Sequence, residues 1–249
     1  MSINTAKKGA PVAVVRGSRR QAFDGKTIYI SESSDDGVSE LDVIDGCLSL
    51  VPPAHGRSVI YLFGASGSGK STVLSSYLTE WRSKHPKNDI IIISRLSEDK
   101  AFDDLDVKRM DIDESLIDEP LTGDDFPESS FVVFDDVDSI QPAKLKDAVY
   151  GIMTDLLNTG RHRNISVAVT SHLGADHLKT RGILNESHII VCFPHGSSAH
   201  QIRYVATRYC GLSPAQVLEM LKLPTRWVAM KRSYPPAIIH SGGAYMLSK

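Results

Sequence analysis

The chain has 249 residues, of which 41% are hydrophobic, enough for a substantial core in one large domain with or without a small appendage. The formal net charge of −2 gives no sign of a bulk nucleic-acid binder, so any contact with DNA has to come from a local basic face. Three cysteines without a C-x-x-C pair argue against a zinc or disulfide framework, and no apolar run approaches the roughly 20 residues of a membrane span.

The N-terminal region, residues 1–54, predicts a small β-rich appendage. Polar turns separate short β-like runs at residues 12–15, 27–30 and 47–51. From Ser58 onward strands alternate with helices, a pattern typical of a mostly parallel sheet covered by helices on both faces. We therefore expect an α/β fold whose main domain spans residues 55–249.

A complete phosphate-binding loop pattern, G-x-x-x-x-G-K-[ST], occupies residues 64–71. It follows an apolar run at residues 59–63 and precedes a helix-compatible segment, the strand-to-helix context that the loop requires. Its glycines let the backbone wrap around a polyphosphate, so that N–H groups and the positive end of the next helix face the phosphate oxygens. We expect Lys70 to reach the β- and γ-phosphates and the Ser71 hydroxyl to ligate Mg²⁺. The residues predicted to bind the nucleoside triphosphate are Gly64, Ala65, Ser66, Gly67, Ser68, Gly69, Lys70, Ser71 and Thr72.

The other elements of this P-loop NTPase domain follow along the chain. A stretch rich in Asp and Glu between Ser97 and Ser129 predicts a long solvated excursion that includes a short strand at residues 107–112. Pro142 and Pro214 suit the first turn of a helix. Helices are predicted at residues 71–84, 142–158, 198–209 and 213–222, and strands at residues 89–94, 130–134, 166–171, 188–193, 227–231 and 237–240.

Two carboxylates follow the apolar run at residues 131–134. A carboxylate at the C-terminal end of a parallel strand lies beside the phosphate loop in this type of sheet. We expect Asp135 to hold Mg²⁺, directly or through water, and Asp136 to polarise the attacking water. Because the second role separates hydrolysis from simple binding, the pair predicts an Mg²⁺-dependent NTP hydrolase.

Polar residues on either side of the strand at residues 166–171 complete the predicted site. His172 follows the strand, where a γ-phosphate sensor is expected, and its imidazole can hydrogen-bond a phosphate oxygen or the lytic water; a histidine that only caps the surface is the alternative. Arg161 and Arg163 precede the strand, and we expect them near the same edge of the sheet. Their guanidinium groups suit charge stabilisation in phosphoryl transfer, within a subunit or from a neighbour, and are also common on ordinary surfaces.

These motifs together resemble the genome-packaging ATPases of nucleocytoplasmic large DNA viruses and their relatives, including the poxvirus packaging ATPase, within the FtsK–HerA superfamily of DNA-pumping motors. The resemblance covers roughly residues 58–240. It is carried by the phosphate loop, by F-V-V-F-D-D at residues 131–136 and above all by G-R-H-R-N-I-S-V at residues 160–167. Two positions depart from the family pattern, since a glutamine is common where this chain has His172 and a glutamate where it has Asp136.

The resemblance implies an ATP-driven translocase that moves double-stranded DNA of any sequence into a preformed viral capsid. It also implies a ring of identical subunits, a capsid or portal-vertex protein as partner, and a location at sites of virion assembly in the cytoplasm of the infected cell or in association with the virion. The basic residues that we assign to DNA contact are Arg203, Arg208, Arg226, Lys231 and Arg232.

Two other classes of protein share the phosphate loop. A small-molecule or nucleoside kinase needs no second carboxylate for water but does need an arginine-rich lid, for which Arg203 and Arg208 are the candidates. A regulatory GTPase needs a guanine-reading N-K-x-D-type motif late in the chain, and the sequence has none. The kinase therefore remains the alternative.

Overall fold

The computed structural model describes residues 1–33, 37–95, 99–176 and 179–247. Along these ranges the strands are β1 (Ser2–Asn4), β2 (Ala10–Arg16), β3 (Thr27–Ser31), β4 (Glu40–Asp42), β5 (Cys47–Leu50), β6 (Val59–Phe63), β7 (Ile90–Ser94), β8 (Lys108–Asp111), β9 (Phe131–Phe134), β10 (Ser166–Ser171), β11 (Ile189–Cys192), β12 (Val228–Lys231), β13 (Ala237–His240) and β14 (Gly243–Met246). The helices are α1 (Lys70–Lys84), α2 (Ser115–Asp118), α3 (Ala143–Thr159), α4 (Arg181–Glu186), α5 (Ala199–Arg208) and α6 (Pro214–Lys222).

A large sheet forms the centre of the protein, with the strand order β4-β14-β13-β12-β11-β6-β10-β9-β7-β8. The strands from β11 to β8 run parallel, and those from β11 back to β4 pair antiparallel. The strand before His172 lies between β6 and β9. The predicted α/β fold class, a mostly parallel sheet flanked by helices, is thereby confirmed.

Hydrophobic clusters cover both faces of this sheet. All five residues of β6 are buried, and they alternate between the faces, because successive strand residues point in opposite directions. Tyr61 and Phe63 join a cluster that includes the buried residues of α3, α5 and α6. Ile60 and Leu62 join a second cluster with α1 and the N-terminal strands. A run without polar positions is therefore what a central parallel strand requires.

The N-terminal strands form a second, antiparallel sheet in the order β1-β3-β2-β5. Ile28 and Leu48 of this sheet share a hydrophobic cluster with Leu74 and Tyr77 of α1, so the small sheet covers the α1 side of the large one. β4 is also N-terminal but belongs to the large sheet, where it pairs with β14 at the edge. The predicted strands of this region are present, and a domain boundary near residue 54 stays a prediction.

The acidic stretch after β7 packs more closely than its composition suggested. Its residues 97 and 98 lie outside the described ranges; beyond them, Phe102, Leu116 and Phe126 are each at most 5% exposed. These apolar side chains bind the stretch to the two hydrophobic clusters. The expectation of a wholly solvated excursion is therefore wrong, although its short strand is present as β8.

Several short elements were not predicted from the sequence, namely β1, β4, β14, α2 and α4. Each has six residues or fewer, too short for a clear hydrophobic period. The helices that were predicted begin and end close to the expected residues, and Ser213 caps α6 by accepting from Gln216 N–H. Among the described helices none has the length and apolar character needed to cross a bilayer.

Candidate active site

The predicted site residues meet at one edge of the large sheet. β6, β10 and β9 run parallel, with Ala168 of β10 opposite both Ile60 and Val133. Their C-terminal ends therefore lie side by side. The phosphate-binding loop follows β6, Asp135 follows β9 and His172 follows β10. The fold thus brings together three segments that are far apart in the chain.

The phosphate-binding loop has a backbone conformation that depends on its glycines. Gly67 and Gly69 have left-handed φ angles of 75° and 109°, at which a side chain would be strained. The segment after β11 supports the loop, because Ala65 N–H donates to the Gly196 carbonyl over 2.8 Å. Phe193 lies against it, and a Cβ on Gly69 would stand 3.6 Å from the Phe193 ring. The shape of the loop is therefore set by its own glycines and by its contacts with the segment after β11.

The loop presents unpaired backbone donors. Ser68 N–H closes the loop on the Ala65 carbonyl over 3.1 Å. By contrast, the N–H groups of residues 66, 67 and 69–72 donate to no acceptor in the part of the chain that the structure describes. The last of these belong to the first turn of α1, where the helix dipole adds partial positive charge. Such a set of donors suits a polyphosphate anion.

Lys70 is the buried cation of the site, with 7% of its side chain exposed. Its Nζ donates to the Gly64 carbonyl over 3.1 Å and lies 3.3 Å from Asp136 Oδ1. A buried ammonium group requires such partners, because its removal from water is costly. The charge therefore lies between the phosphate loop and the second carboxylate, where a group that follows the β- and γ-phosphates is expected.

Asp135 is a buried carboxylate held by hydroxyl groups. Thr170 Oγ1 donates to Asp135 Oδ1 over 2.7 Å, and Ser94 Oγ lies 3.4 Å from Oδ2. Burial raises the pKa of Asp135, the hydrogen bond from Thr170 opposes the shift, and the charge of Asp136 adds to it. A cation beside Asp135 would restore the charged form at lower pH.

The donors on this side of the site have the chemistry that Mg²⁺ prefers. Asp135 supplies carboxylate oxygens, and Ser71 supplies a hydroxyl from the first turn of α1. Mg²⁺ is a hard cation that binds oxygen and commonly combines one carboxylate with phosphate oxygens and water. The two residues that the sequence predicted as metal ligands thus fit the ion chemically.

Asp136 turns the chain so that its carboxylate faces the phosphate loop. Its backbone is left-handed, with φ 46° and ψ 44°, a conformation that aspartate tolerates better than most residues. The Asp136 N–H donates to Thr170 Oγ1 over 2.8 Å, which holds the turn. The Asp136 side chain is 34% exposed, so water can reach it. Lys70 on one side and His172 Nε2, 3.7 Å from Asp136 Oδ2, on the other define its position.

His172 is oriented by Asp138. Asp138 Oδ2 accepts from the His172 N–H over 2.9 Å, and Asp138 Oδ1 lies 3.3 Å from His172 Nδ1. A carboxylate beside Nδ1 favours the tautomer that carries its proton there, which leaves Nε2 as an acceptor on the Asp136 side. The candidate ligand atoms of Asp136, Asp138 and His172 lie within 4.8 Å of one another, and these contacts with Asp138 account for their closeness.

Thr170 and Asp138 are the site residues that sequence reasoning missed. Thr170 is fully buried and bonds to both Asp135 and Asp136, yet in the sequence it is one more residue of a β-branched strand. Its signal was a hydroxyl directly after the apolar residues 167–169, near the end of β10. Asp138 gives no signal of its own in the sequence, because its contact with His172 depends on how β9 and β10 are aligned.

Arg161 and Arg163 do not lie at this edge, so the expectation that they share it with the phosphate loop is wrong. Both precede β10, whereas the site follows it, and the six residues of β10 span about 20 Å. Arg163 instead donates to Asp124 Oδ1 over 2.7 Å and to the Phe126 carbonyl over 3.0 Å, which fastens the end of the acidic stretch. Arg161 is exposed. Neither side chain can therefore reach a nucleotide on the loop of its own subunit.

Two of the basic residues assigned to DNA contact serve the fold instead. Lys231 is 7% exposed, and its Nζ donates to the Ser233 and Pro235 carbonyls over 2.6 and 2.8 Å. Burial lowers the pKa of Lys231 to about 8. Arg232 donates to carbonyls at and beyond the end of α4, including that of Ser187 over 3.0 Å. The remaining candidates are exposed, namely Arg203, Arg208 and Arg226.

Comparison with known proteins identifies a relative along nearly the whole chain. No family model matches the chain. A protein of Sputnik virophage, described as uncharacterized protein V3, is 38% identical over 247 residues, which cover 98% of this chain and 98% of the relative.

Solved structures of similar fold include a genome packaging NTPase, a secretion ATPase and a conjugation coupling protein. The genome packaging NTPase B204 of Sulfolobus turreted icosahedral virus 2, in complex with sulfate, is 16% identical with a TM-score of 0.50, covering 75% of this chain and 96% of its own. The type VII secretion ATPase EccC of Thermomonospora curvata is 14% identical with a TM-score of 0.54, covering 93% of this chain and 28% of its own. The pCW3 conjugation coupling protein TcpA, with ATPγS, is 10% identical with a TM-score of 0.52, covering 92% of this chain and 77% of its own. The resemblance to packaging ATPases is thereby confirmed at the level of fold.

The hydroxyl of Thr170 should be a stabilising part of the site. Thr170→Val keeps the shape of the side chain but leaves the Asp135 carboxylate and the Asp136 N–H without their buried partner. We expect the free energy of unfolding, measured in urea, to fall by about 1–3 kcal/mol. Thr170→Ser, which keeps the hydroxyl, is the control and should retain most of the stability. Equal stability of the valine variant and the unsubstituted protein would contradict this role of the hydroxyl.

Proposed function

The chain belongs to the same family as protein V3 of Sputnik virophage, and from this premise and the geometry of the site we propose that it is an ATP-driven motor that moves double-stranded DNA into a preformed viral capsid. The B204 protein, whose fold it shares, is a genome packaging NTPase of another virus. A viral relative and a packaging NTPase of similar fold both favour this function over other uses of a P-loop.

The observation that carries the proposal is the meeting of Lys70, Asp136 and His172 beside the phosphate loop. The unpaired N–H groups and Lys70 bind the triphosphate and offset its charge. Asp136, partly exposed and next to Lys70, accepts a proton from the attacking water. His172, held by Asp138, accepts a hydrogen bond from that water through Nε2.

Magnesium is the cofactor that we propose beside ATP. Ser71 and Asp135 would hold the ion, and when bound it supplies positive charge to the β- and γ-phosphates. The hydroxyls of Thr170 and Ser94 keep the Asp135 carboxylate in place for this purpose.

The motor is favoured over the kinase alternative by the second carboxylate. Asp136 is open to water and lies at the phosphate loop, an arrangement suited to hydrolysis. The arginines considered for a kinase lid, Arg203 and Arg208, are exposed on α5. We assign them instead to contact with the phosphate backbone of DNA. We further propose that identical subunits form a ring around the DNA and that a capsid or portal-vertex protein is the partner. The motor would then act at sites of virion assembly in the infected cell.

Lys70→Ala and Asp136→Asn should separate binding from turnover. Lys70→Ala removes the cation of the site, so we expect nucleotide affinity to fall at least about tenfold and hydrolysis to be lost. Asp136→Asn keeps the shape but loses the base, so binding should persist while the rate falls by about 10²–10⁴-fold. Titration calorimetry with Mg²⁺-ATP and a phosphate-release assay measure the two properties. Loss of binding in Asp136→Asn equal to its loss of turnover would instead assign Asp136 to the metal.

We infer that Arg161 acts on the neighbouring subunit of a ring. Arg161 is exposed at the opposite edge of the sheet, too far from the phosphate-binding loop of its own subunit to reach a nucleotide there. We therefore expect Arg161→Ala to bind ATP normally and yet be inactive. Mixing Arg161→Ala with Lys70→Ala, each inactive alone, should restore part of the activity, because intact loops then meet intact arginines. Mixed rings without any recovery, verified by native mass spectrometry, would place Arg161 outside catalysis.

Duplex DNA should stimulate ATP hydrolysis irrespective of sequence, because a packaging motor contacts the phosphate backbone. Each phosphate contact contributes a slope of about −0.9 to log affinity against log salt, so stimulation should weaken clearly from low to moderate salt. The double variant Arg203→Ala/Arg208→Ala should reduce this slope, and Arg19→Ala, an exposed arginine of the N-terminal region, is the control. ATPase rates with unrelated duplexes of equal length measure the effect. Transfer of phosphate to a nucleoside without any response to DNA would favour the kinase.

A further inference from the structure

A cavity of about 230 Å³ opens beside the phosphate-binding loop, on the side away from Asp136. Its walls include Gly69 and Thr72 at the start of α1, Leu48 of β5 in the N-terminal sheet, Phe193 after β11 and Trp227 just before β12. The loop therefore borders two different spaces, one with the carboxylates and one with these mostly apolar walls.

The strand order explains why the two spaces lie on opposite sides of the loop. The carboxylates follow β9 and His172 follows β10, on one side of β6. β12 lies on the other side of β6, beyond β11, and runs antiparallel, so that its first residue, Val228, lies opposite Cys192 at the end of β11. Trp227 is thus at the same edge of the sheet as the phosphate loop. The sheet edge carries, in order, the carboxylates, the phosphate loop and the cavity.

The lining of the cavity suits an aromatic base with a sugar. Trp227 is partly buried in the hydrophobic cluster beneath the N-terminal sheet, and its carbonyl accepts from Thr225 Oγ1 over 2.9 Å, which fixes the turn before β12. Arg226 is exposed at the cavity, and Ser49 and Ser241 also line it. An indole ring and a guanidinium group both stack on nucleobases, and hydroxyls hydrogen-bond a ribose.

We propose that this cavity binds the nucleoside of the triphosphate, with the base against Trp227 and with the N-terminal sheet, through Leu48 of β5, as one wall of the site. This inference rests on the proposed function. A triphosphate on the loop then runs from the cavity, past Thr72 and Gly69, to the γ-phosphate near Lys70 and Asp136. The N-terminal region is on this view part of the nucleotide site.

Alkylation of Cys47 tests the proposal on the unsubstituted protein. Cys47 is exposed and lines the cavity, whereas Cys192 is buried, and burial raises the pKa of Cys210 to about 12, so a maleimide should react first at Cys47. A slowly hydrolysed ATP analogue should slow this reaction at least about fivefold. Inorganic tripolyphosphate, which occupies the loop without a nucleoside, should leave the rate unchanged. Equal protection by both ligands would overturn the proposal, because the protection would not come from the nucleoside.

Substitution of Trp227 provides the second measurement. Trp227→Ala should weaken binding of the ATP analogue at least about fivefold and leave binding of tripolyphosphate unchanged, and Trp227→Phe, which keeps an aromatic ring, should bind the analogue nearly as well as the unsubstituted protein. Arg226→Gln replaces an exposed side chain and leaves the core intact. It should weaken binding of the ATP analogue but not binding of tripolyphosphate.

The outcomes separate this inference from the proposed function. If the unsubstituted protein binds neither the analogue nor tripolyphosphate, the proposed function fails. If both ligands bind, Cys47 reacts at the same rate with and without the analogue, and Trp227→Ala binds the analogue as before, the function stands and the cavity is not the nucleoside site.

Discussion

The parallel pairing of β6, β10 and β9 is the constraint on which the candidate site depends. A strand segment that shifts by one residue turns every side chain to the opposite face, and this sheet is buried on both faces. Thr170 bonds to Asp135 and Asp136 only because β10 is paired with β9 in one particular alignment. The apolar residues that hold the alignment are therefore as necessary to the chemistry as the charged ones at its end.

The site places two buried charged groups, Lys70 and Asp135, beside the partly exposed Asp136, and polar partners stabilise both buried groups. Lys70 compensates the negative charge of Asp136, while hydroxyl groups rather than cations hold Asp135. Carboxylates this close together repel each other, which contributes to the raised pKa of Asp135. Binding of a cation there would relieve the repulsion, and binding of a triphosphate would bring Lys70 a further anionic partner. The structure thus already holds the charges that the proposed phosphoryl transfer would need.

The sequence was a good guide wherever a feature depends on local pattern. The phosphate loop, the carboxylates after β9 and the alternation of strands with helices all follow from apolar runs and the residues that end them. The sequence was a poor guide to which edge of the sheet a loop occupies: Arg161 and Arg163 were expected at the site because they are near His172 in the chain, but a strand of six residues separates them from it. Lys231 and Arg232 were misassigned for a similar reason, since a basic residue in the sequence does not reveal that nearby carbonyls hold it. Asp138 and the cavity beside Trp227 depend on contacts between distant segments, which no local pattern reports.

The pairing of β4 with β14 has a consequence for any attempt to shorten the chain. β4 covers the outer edge of the large sheet, and the rest of the N-terminal region covers apolar residues of the α1 face. A truncated chain that starts at residue 55 would leave β14 with unpaired backbone groups beside an uncovered hydrophobic surface. Such an edge is a template for strands of other molecules, and aggregation is its usual result. The N-terminal region therefore shields both the edge strand β14 and the apolar surface on the α1 face from other molecules.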